Sequence, residues 1–384
     1  MGKLEIEERI RYPPFESYRF KPNLLPIASS KTLVKKGIKK SQVNQILEQN
    51  PAPFLVGTED SWIVQMRYLY NGEPIEVEAN YGHPQSKIIP PDSLIDKQRN
   101  GWYLIPNKNH KTARKILNLA VSVLLITLAY LFIEPVLSYL GIPSIGTGRV
   151  RFGLLDYPAL AVLVVPILFV PIIMRVLANF SDLVSQKNFL MTQPKNPEII
   201  FYSNTKVNEN LEVEVNFPDK KESWGDMKIL WRVGVLPPSR SSVIEALGRN
   251  SDGQPPPGFT TELPHHWTVD LDDGTGGGED SPMQATDVKG GLFLKPMRMM
   301  VQSEVMEYTG GKISIPPPFG DWPGSYFSDF IRIHWELIIV IERENKSELM
   351  WVQPLKVSQL PVSTETTAMI NSGRTETNHP LSTD

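Results

Sequence analysis

The side chains best suited to chemistry in this chain lie in one glycine-rich segment. His265 and His266 are adjacent, and an acidic stretch follows them. Imidazole nitrogens and carboxylates are groups that bind divalent metals and exchange protons near neutral pH. A metal-dependent enzyme acting on lipid-derived or surface substrates is therefore one hypothesis. The acidic members of the segment are Asp270, Asp272, Asp273, Glu279 and Asp280.

The spacing of these groups favours a simpler interpretation. Adjacent histidines on a strand point to opposite faces, so both cannot ligate one ion without distortion. An EF-hand loop starting at Asp270 would need oxygen ligands at its fifth and twelfth positions, where Gly274 and Ser281 stand. The neighbouring glycines give mobility without a preformed site. The segment is thus predicted to be a flexible acidic turn, with no metal, no cofactor and no catalytic residue.

Other catalytic signatures are missing from the sequence. There is no phosphate-binding Gly-x-x-x-x-Gly-Lys-Ser/Thr motif and no Gly-x-Ser-x-Gly nucleophile elbow. The chain has no cysteine, which excludes disulfides, thiolate metal ligands and thiol nucleophiles. The net charge of -3, from 39 basic and 42 acidic residues, gives no bulk attraction to nucleic acid. These absences favour a non-catalytic role.

Two long apolar runs lie in the middle of the chain. The first extends without a charge from Ile116 to Ile133 and resumes through residue 140, and the second lies between Asp156 and Arg175. A helix of about 18 residues is about 27 Å long, close to the roughly 30 Å of bilayer hydrocarbon. A buried hairpin in a soluble domain is the alternative, but such domains rarely contain two adjacent runs of this length. We predict a two-helix transmembrane hairpin over residues 111–192, with spans at about 116–140 and 156–178 and an interfacial extension.

Basic residues beside the two runs predict their orientation. Six lie on the outer flanks and two in the connecting loop. Because cytoplasmic flanks carry the excess of lysine and arginine, both termini are predicted to be cytoplasmic. Neither run has a charge at its midplane, so the loop-side charges are interpreted as a snorkelling interfacial cluster rather than as an ion or proton relay. The residues expected at the membrane interface are Arg114, Lys115, Glu134, Arg149, Arg151, Asp156 and Arg175.

Residues 1–110 are predicted to form a small β-rich cytoplasmic domain. From Trp62 to Tyr70 bulky residues alternate along the chain, and Asn71-Gly72 then gives the sequence of a type I′ hairpin turn. A further strand is predicted at residues 102–105. The alternating aromatic residues are interpreted as core rather than as a ligand site.

A cluster of lysines lies upstream of this hairpin. Five lysines stand within residues 31–40, and Ser41 is the predicted N-cap of a short helix. Close to a membrane each lysine could attract anionic headgroups by about 1 kcal/mol. A solvated charged face is favoured, because no aromatic residue is interleaved and the cluster is far from the spans in sequence.

Residues 193–362 alternate short strand-like runs with turn clusters, a pattern typical of an antiparallel β-sandwich. In the longest run, from Ile331 to Ile341, apolar residues alternate with Arg332, His334 and Glu336. Period 2 predicts that one face of this strand is core and the other is partly wet.

The order of the runs resembles the arrestin-like family of β-sandwiches. KISIPPPFGDWPGSYFSDFIRIHWELIIVIE followed by LMWVQPLKV is similar to the part in which a proline-ended segment leads through a Pro and Ser turn into a long strand and a closing strand. The resemblance is confined to the C-terminal region. It implies an immunoglobulin-like, non-catalytic sandwich that binds peptides, membranes or other proteins through its edges and loops. It assigns no functional residue.

These patterns together predict a mixed fold. A transmembrane hairpin is flanked by the small β-rich domain and by an arrestin-like antiparallel sandwich, and residues 363–384 form a disordered Ser/Thr-rich tail. The predicted function is a membrane-tethered protein-interaction or adaptor module, whose partners are the lipid bilayer and a protein, without nucleic acid. Two alternatives stay open: the metal-dependent membrane enzyme built on His265 and His266, and a structural subunit of a membrane assembly.

Overall fold

A computed structural model of the chain describes residues 2–12, 21–48, 50–75, 99–105, 109–143, 145–146, 148–152, 155–236, 240–249, 290–294, 297–344 and 347–358. The chain divides into two compact units. The first, here called the sheet unit, combines Met1–Ile105 with Pro194–Asp384. The second, the helical unit, is Pro106–Gln193.

The described elements are mostly strands, with a few helices between them. The strands are β1 Gly2–Arg11, β2 Ala28–Ile38, β3 Phe54–Gly57, β4 Ile63–Tyr70, β5 Glu73–Pro74, β6 Gly101–Leu104, β7 Arg149–Phe152, β8 Leu155–Pro158, β9 Glu198–Phe201, β10 Leu211–Asn216, β11 Trp224–Leu236, β12 Gly290–Phe293, β13 Arg298–Gln302, β14 Met306–Glu307, β15 Lys312–Ile315, β16 Tyr326–Phe327, β17 Arg332–Arg343 and β18 Leu349–Leu355. The α-helices are α1 Val43–Leu47, α2 Asn109–Tyr139, α3 Ala159–Val164, α4 Phe169–Met191 and α5 Arg240–Ala246. Three 3-10 helices span Pro22–Leu24, Lys40–Gln42 and Val165–Leu168.

A five-stranded antiparallel sheet forms the N-terminal part of the sheet unit. Its order is β2-β1-β4-β3, and β5 pairs with β4. The predicted turn is confirmed: Asn71 has a φ of 55° and Gly72 a φ of 88°, as a type I′ turn requires. The sequence patterns did not predict β1 or β2. Lys31, Lys35 and Lys36 lie in β2 rather than beside a helix.

The short helix after β2 begins differently from the prediction. A 3-10 turn at Lys40–Gln42 precedes α1, so Ser41 lies inside helical structure instead of capping it. The backbone N–H of Lys39 donates to Oε1 of Gln42 at 3.0 Å. The side chain of Gln42 therefore does the capping that was predicted for Ser41.

An eight-stranded sheet forms the other large layer of the sheet unit. Its order is β12-β6-β18-β17-β11-β13, with β14 paired to β11 and β16 to β17. β6 follows the N-terminal domain in sequence, yet it pairs antiparallel with β18. β17 is central, and the side predicted to be partly wet is buried too, including His334 and Glu336. The continuous apolar run at the end of β17 is typical of a strand that is covered on both faces.

A three-stranded antiparallel sheet, in the order β15-β10-β9, completes the sheet unit. Leu211, Val213 and Val215 on one face of β10 are buried, while Glu212 and Glu214 on the other are partly exposed. This is the alternation expected of a sheet with one wet face.

Contacts across the sheet unit join its N-terminal and C-terminal parts. The hydroxyl of Tyr326 donates a hydrogen bond of 2.6 Å to Oε1 of Glu8, which is 5 % exposed. The Tyr326 ring also meets Phe54 edge-on, with centroids 5.1 Å apart. Burial raises the pKa of Glu8, although hydrogen bonds from Ser328 and Tyr326 act against the shift.

The helical unit contains both predicted spans. The first is α2, and the second is divided into α3 and α4 by a 3-10 turn that includes Pro166. Proline has no N–H to continue an α-helical ladder, which explains the break. α4 continues to Met191, as the interfacial extension predicted. Asp156 lies in β8 before the helix rather than at its first turn.

Candidate functional site

The two apolar helical segments present their side chains outward from the helical unit. Within Lys115–Tyr139 and Ala159–Met191, 11 % of the most apolar window is buried. Phe132, for example, is 86 % exposed. Core helices of soluble domains bury their apolar residues inside the chain. Both segments are long and apolar enough to cross a membrane.

Small residues lie where the two helices pack. Ala120 of α2 and Ala178 of α4 are 3 % and 2 % exposed, among mostly exposed neighbours. Small side chains let helix backbones approach closely, as membrane helix pairs require. The backbone N–H of Ile145 donates to the Tyr130 hydroxyl at 2.7 Å, which ties the connecting segment to α2.

Three of the predicted interface charges come together on one short hairpin. β7 carries Arg149 and Arg151, β8 carries Asp156, and Arg151 is directly opposite Asp156 in the ladder. All three side chains are exposed. Glu134 lies separately near the end of α2. The remaining predicted interface residues are Arg114 and Lys115 at the start of α2 and Arg175 in α4.

The candidate metal segment, with His265 and His266, lies outside the described residues, as does the predicted tail. Among the residues that the structure does describe, no group of three or more His, Asp or Glu side chains could hold a metal ion.

A buried ionic cluster in the eight-stranded sheet was missed by sequence reasoning. Glu336 of β17 is fully buried and accepts hydrogen bonds from Nε and Nη2 of Arg99, at 3.0 and 2.9 Å. Arg232, its cross-strand neighbour on β11, donates from Nε at 2.6 Å. His334 lies two residues before Glu336, with its Nε2 3.3 Å from Oε2 of the carboxylate. We call these four residues the buried ionic cluster.

Two opposing effects set the pKa of Glu336. Burial alone raises the pKa of a carboxyl, but the guanidiniums of Arg99 and Arg232 outweigh it and hold the pKa well below its usual range. Burial lowers the pKa of His334, and the nearby guanidiniums lower it further, against the attraction of Glu336. At neutral pH the cluster therefore contains an ionised Glu336 and a neutral His334.

The cluster connects parts of the chain that are distant in sequence, and in the described part of the chain its side chains are almost completely covered. Arg99 is 4 % exposed, Arg232 5 % and His334 1 %. Removing one partner of a buried ion pair is costly, because it leaves an uncompensated buried charge. The signal that could have found it is the pair His334 and Glu336, spaced two apart in a run, Ile333 to Ile341, that is otherwise apolar on both faces.

The free edge of the three-stranded sheet carries three consecutive exposed apolar or aromatic residues. Among the described strands, β9 pairs only with β10. Ile200 is 51 % exposed, Phe201 40 % and the adjoining Tyr202 49 %. Unpaired backbone groups on an edge strand are a template for another strand.

The ladder shows which backbone groups of β9 are available. Tyr202 donates its N–H to the carbonyl of Glu212 at 3.0 Å. Bonded pairs alternate in an antiparallel ladder, so Ile200 opposite Glu214 is also a bonded pair. Ile199 and Phe201, which lie between them, direct their N–H and C=O groups away from β10.

The wet face beside this edge is acidic. Glu198, Glu212 and Glu214 share it with a single lysine, Lys312. Lys312 pairs with Glu212 at 2.7 Å and lies 4.9 Å from the centroid of the Tyr202 ring. Glu214 accepts a hydrogen bond from the Tyr202 hydroxyl. We call β9 and these three glutamates the acidic edge.

A second free edge is basic. β2 is the outer strand of the five-stranded sheet and, among the described strands, pairs only with β1. Residues 31–36 are exposed except for the half-buried Val34. Lys31 lies 3.6 Å from Glu7 of β1, whereas Lys35 and Lys36 have no ion pair among the described residues. We call residues 31–36 the basic edge.

No protein-family model and no curated protein matches this chain.

Proposed function

We propose that this chain is a membrane-tethered protein-interaction module without catalysis. Its helical hairpin crosses the bilayer twice, and its sheet unit offers the acidic edge to a protein partner. The observation that carries the proposal is the free strand β9, with Ile200, Phe201 and Tyr202 exposed along it. Added strands gain affinity from main-chain hydrogen bonds and specificity from alternate side chains.

The tether is supported by the outward-facing apolar side chains of α2, α3 and α4. Their length suits the roughly 30 Å of bilayer hydrocarbon. The charged hairpin β7–β8 between the helices would lie at the opposite interface, with Arg149, Arg151 and Asp156 in the headgroup region. Both flanks of the hairpin carry the excess of basic residues, so both ends of the chain, and hence the whole sheet unit, are on the cytoplasmic side.

We propose that the three-stranded and eight-stranded sheets form the two layers of an arrestin-like sandwich. Support comes from contacts between elements of the two sheets. The Tyr308 hydroxyl, just after β14, accepts the N–H of Val215 in β10 at 2.9 Å. The indole of Trp231 in β11 donates to the carbonyl of Pro316 at the end of β15. Ile315 and Leu211 are 0 % and 1 % exposed between the layers.

The membrane tether explains how a strand as short as β9 can bind a protein partner. β9 has four residues and can form only a few hydrogen bonds with a partner. Confinement to a membrane raises the effective concentration of a partner in the same membrane, so weak contacts become sufficient. Only a short segment separates the end of α4 at Met191 from the start of β9 at Glu198, so the strand follows the membrane helix closely in sequence.

A photo-reactive amino acid at position 200 tests the proposal in cell membranes. We expect defined adducts with one or a few proteins, because this side chain lies on the free edge. The same group at Phe319, which is 70 % exposed on a loop, is the matched control. Equal adduct patterns from both positions would remove the support for an edge-specific partner.

Protease protection on sealed vesicles, with tags at both termini, tests the topology. Two crossings place both tags on the same side, so both are digested or both are protected. A single protected tag would overturn the paired crossing.

A further inference from the structure

The sheet unit carries two free edges of opposite charge. The acidic edge has three glutamates and one lysine on its wet face. The basic edge has Lys31, Lys35 and Lys36, and the strand β2 that contains it has no acidic residue. Lysines on an edge strand discourage pairing with a like edge. They do not discourage pairing with an acidic edge, in which Glu198 lies on β9 itself and Glu212 and Glu214 lie on the next strand, β10.

We propose that the acidic edge of one copy binds the basic edge of a second copy, so that β9 and β2 pair between chains. Cross-strand pairs of opposite charge stabilise a ladder, and like charges directly opposite destabilise it. Two acidic edges or two basic edges would repel each other. The unlike combination alone brings lysines beside Glu198 and places Glu212 and Glu214 one strand away from them.

Apolar side chains on the two edges also match. Leu33 on the basic edge is 44 % exposed, and Ile200 and Phe201 on the acidic edge are 51 % and 40 % exposed. Pairing covers part of this surface. It also gives the outward-facing N–H and C=O groups of Ile199 and Phe201 partners in β2.

The proposed contact joins different surfaces of two identical chains. Such heterologous contacts generate rings if the rotation closes and open chains if it does not. Because β9 is short, the contact is weak in dilute solution and depends on concentration at a membrane. The inference rests on the membrane tether of the proposed function, and it names the partner of the acidic edge as a second copy.

The absence of natural cysteine makes disulfide trapping a direct test. Two full-length variants, Leu33→Cys and Ile200→Cys, are reconstituted together in phosphatidylcholine vesicles and oxidised mildly. Uncharged lipid is used because anionic headgroups would compete for the lysines. We expect a disulfide-linked dimer in the mixture and none in vesicles that contain either variant alone. Equal dimer in the unmixed samples would overturn the proposal, as would its absence from the mixture.

Charge reversal gives the second part of the test. Lys35→Glu with Lys36→Glu, added to the Leu33→Cys chain, should reduce the dimer to the level of the unmixed controls. Glu198→Lys with Glu214→Lys, added to the Ile200→Cys chain, should restore it. Dimer that is insensitive to the first change, or that is not restored by the second, contradicts pairing by opposite charge.

Flotation of the same vesicles separates this inference from the proposed function. Chains that float with the vesicles but form no mixed disulfide retain the tether and lose self-pairing. Chains that remain in the aqueous fraction overturn the tether itself. High salt should lower the yield of the mixed dimer, because exposed charges are screened beyond about 10 Å at 0.1 M salt.

Discussion

Arg99 and Glu336 are 237 residues apart in sequence and form a two-pronged ion pair at 2.9 and 3.0 Å inside the sheet unit. Arg99 stands just before β6, and Glu336 lies in the middle of β17. Their contact holds the segment just before β6 against β17, the strand at the centre of the largest sheet.

Replacing Glu336 with Gln tests this relationship. The carboxylate binds both Arg99 and Arg232, so its neutralisation leaves two buried guanidiniums without their counter-charge. We expect the free energy of unfolding to fall by about 3–5 kcal/mol. Denaturant unfolding of the detergent-purified chain can be followed by tryptophan fluorescence. Trp231 and Trp335, which contribute to this signal, are buried with ring centroids 5.2 Å apart.

The control for that experiment is Glu342→Gln, which affects a partly exposed pair. Glu342 lies 2.8 Å from Lys228, and their side chains are 41 % and 28 % exposed. Such pairs contribute about 0–1 kcal/mol. A similar loss in both variants would show that the buried cluster has no special role in stability.

Stability should depend on pH through His334. Its pKa is lowered from 6.5 in the folded chain, chiefly by burial, so the unfolded chain takes up this proton first as the pH falls. Protonation of His334 therefore has no effect on the free energy of unfolding above about pH 7.5. As the pH falls through 6.5, the free energy of unfolding decreases by up to about 1.4 kcal/mol per pH unit. Unfolding midpoints between pH 8 and pH 5.5 measure the slope.

His334→Gln should remove this part of the slope, since the amide does not titrate. Glu336 acts at lower pH, because its depressed pKa makes its contribution disappear as the pH falls below about 4.5. Glu8, with a raised pKa, changes stability in the opposite direction and is present in both proteins. An unchanged slope in the variant would assign the pH dependence to other groups.

Gly72 should be required for the hairpin between β4 and β5. Its φ of 88° lies in the left-handed region, and an added Cβ would meet nothing within 4 Å. Gly72→Ala is therefore expected to cost about 1–2 kcal/mol through backbone strain alone. Asn71→Gly causes no strain at a φ of 55°, but it removes the Oδ1 that accepts the Lys3 N–H at 2.9 Å and should cost about 0.5–1.5 kcal/mol. Thermal unfolding of both variants gives the comparison, and an unstrained Gly72→Ala protein would contradict the turn assignment.

Proline substitutions in β9 should separate edge pairing from folding. Ile199 directs its N–H away from β10, so Ile199→Pro blocks the edge and should leave unfolding nearly unchanged. Ile200→Pro removes an N–H that faces Glu214 in the ladder and should destabilise the three-stranded sheet. The two measurements are the unfolding midpoint and the yield of crosslinks from a photo-reactive amino acid placed at position 202. Retained crosslinking in a folded Ile199→Pro protein would show that the free edge is not the contact.

Local chemistry made some of this structure predictable. Asn71-Gly72 predicted its turn because few residues adopt positive φ cheaply. The apolar length of the two spans predicted helices that could cross a membrane. In the C-terminal region, β15, β17 and β18 formed within the runs quoted above as strands, KISIPP, FIRIHWELIIVIE and LMWVQPLKV.

Other features depended on partners that lie far away in sequence. β1 contains Glu5, Glu7 and Glu8, which give it a polar pattern. Glu8 is nevertheless buried, and the hydroxyl of the distant Tyr326 donates a hydrogen bond to it. β6 was grouped with its sequence neighbours, but it pairs with β18. A strand pattern specifies which side chains share a face, and it does not specify the neighbour that covers them.

The sequence by itself determined the properties that depend on neighbouring residues: the length of the two apolar helical segments, the Asn71-Gly72 turn and the sign of the charge along each strand. The tertiary structure decided which strands lie at free edges and which charges meet in the core, as Arg99, Arg232 and Glu336 do. The physical reason is that strand pairing and burial join distant segments. An alternating pattern is compatible with several partners until packing selects one.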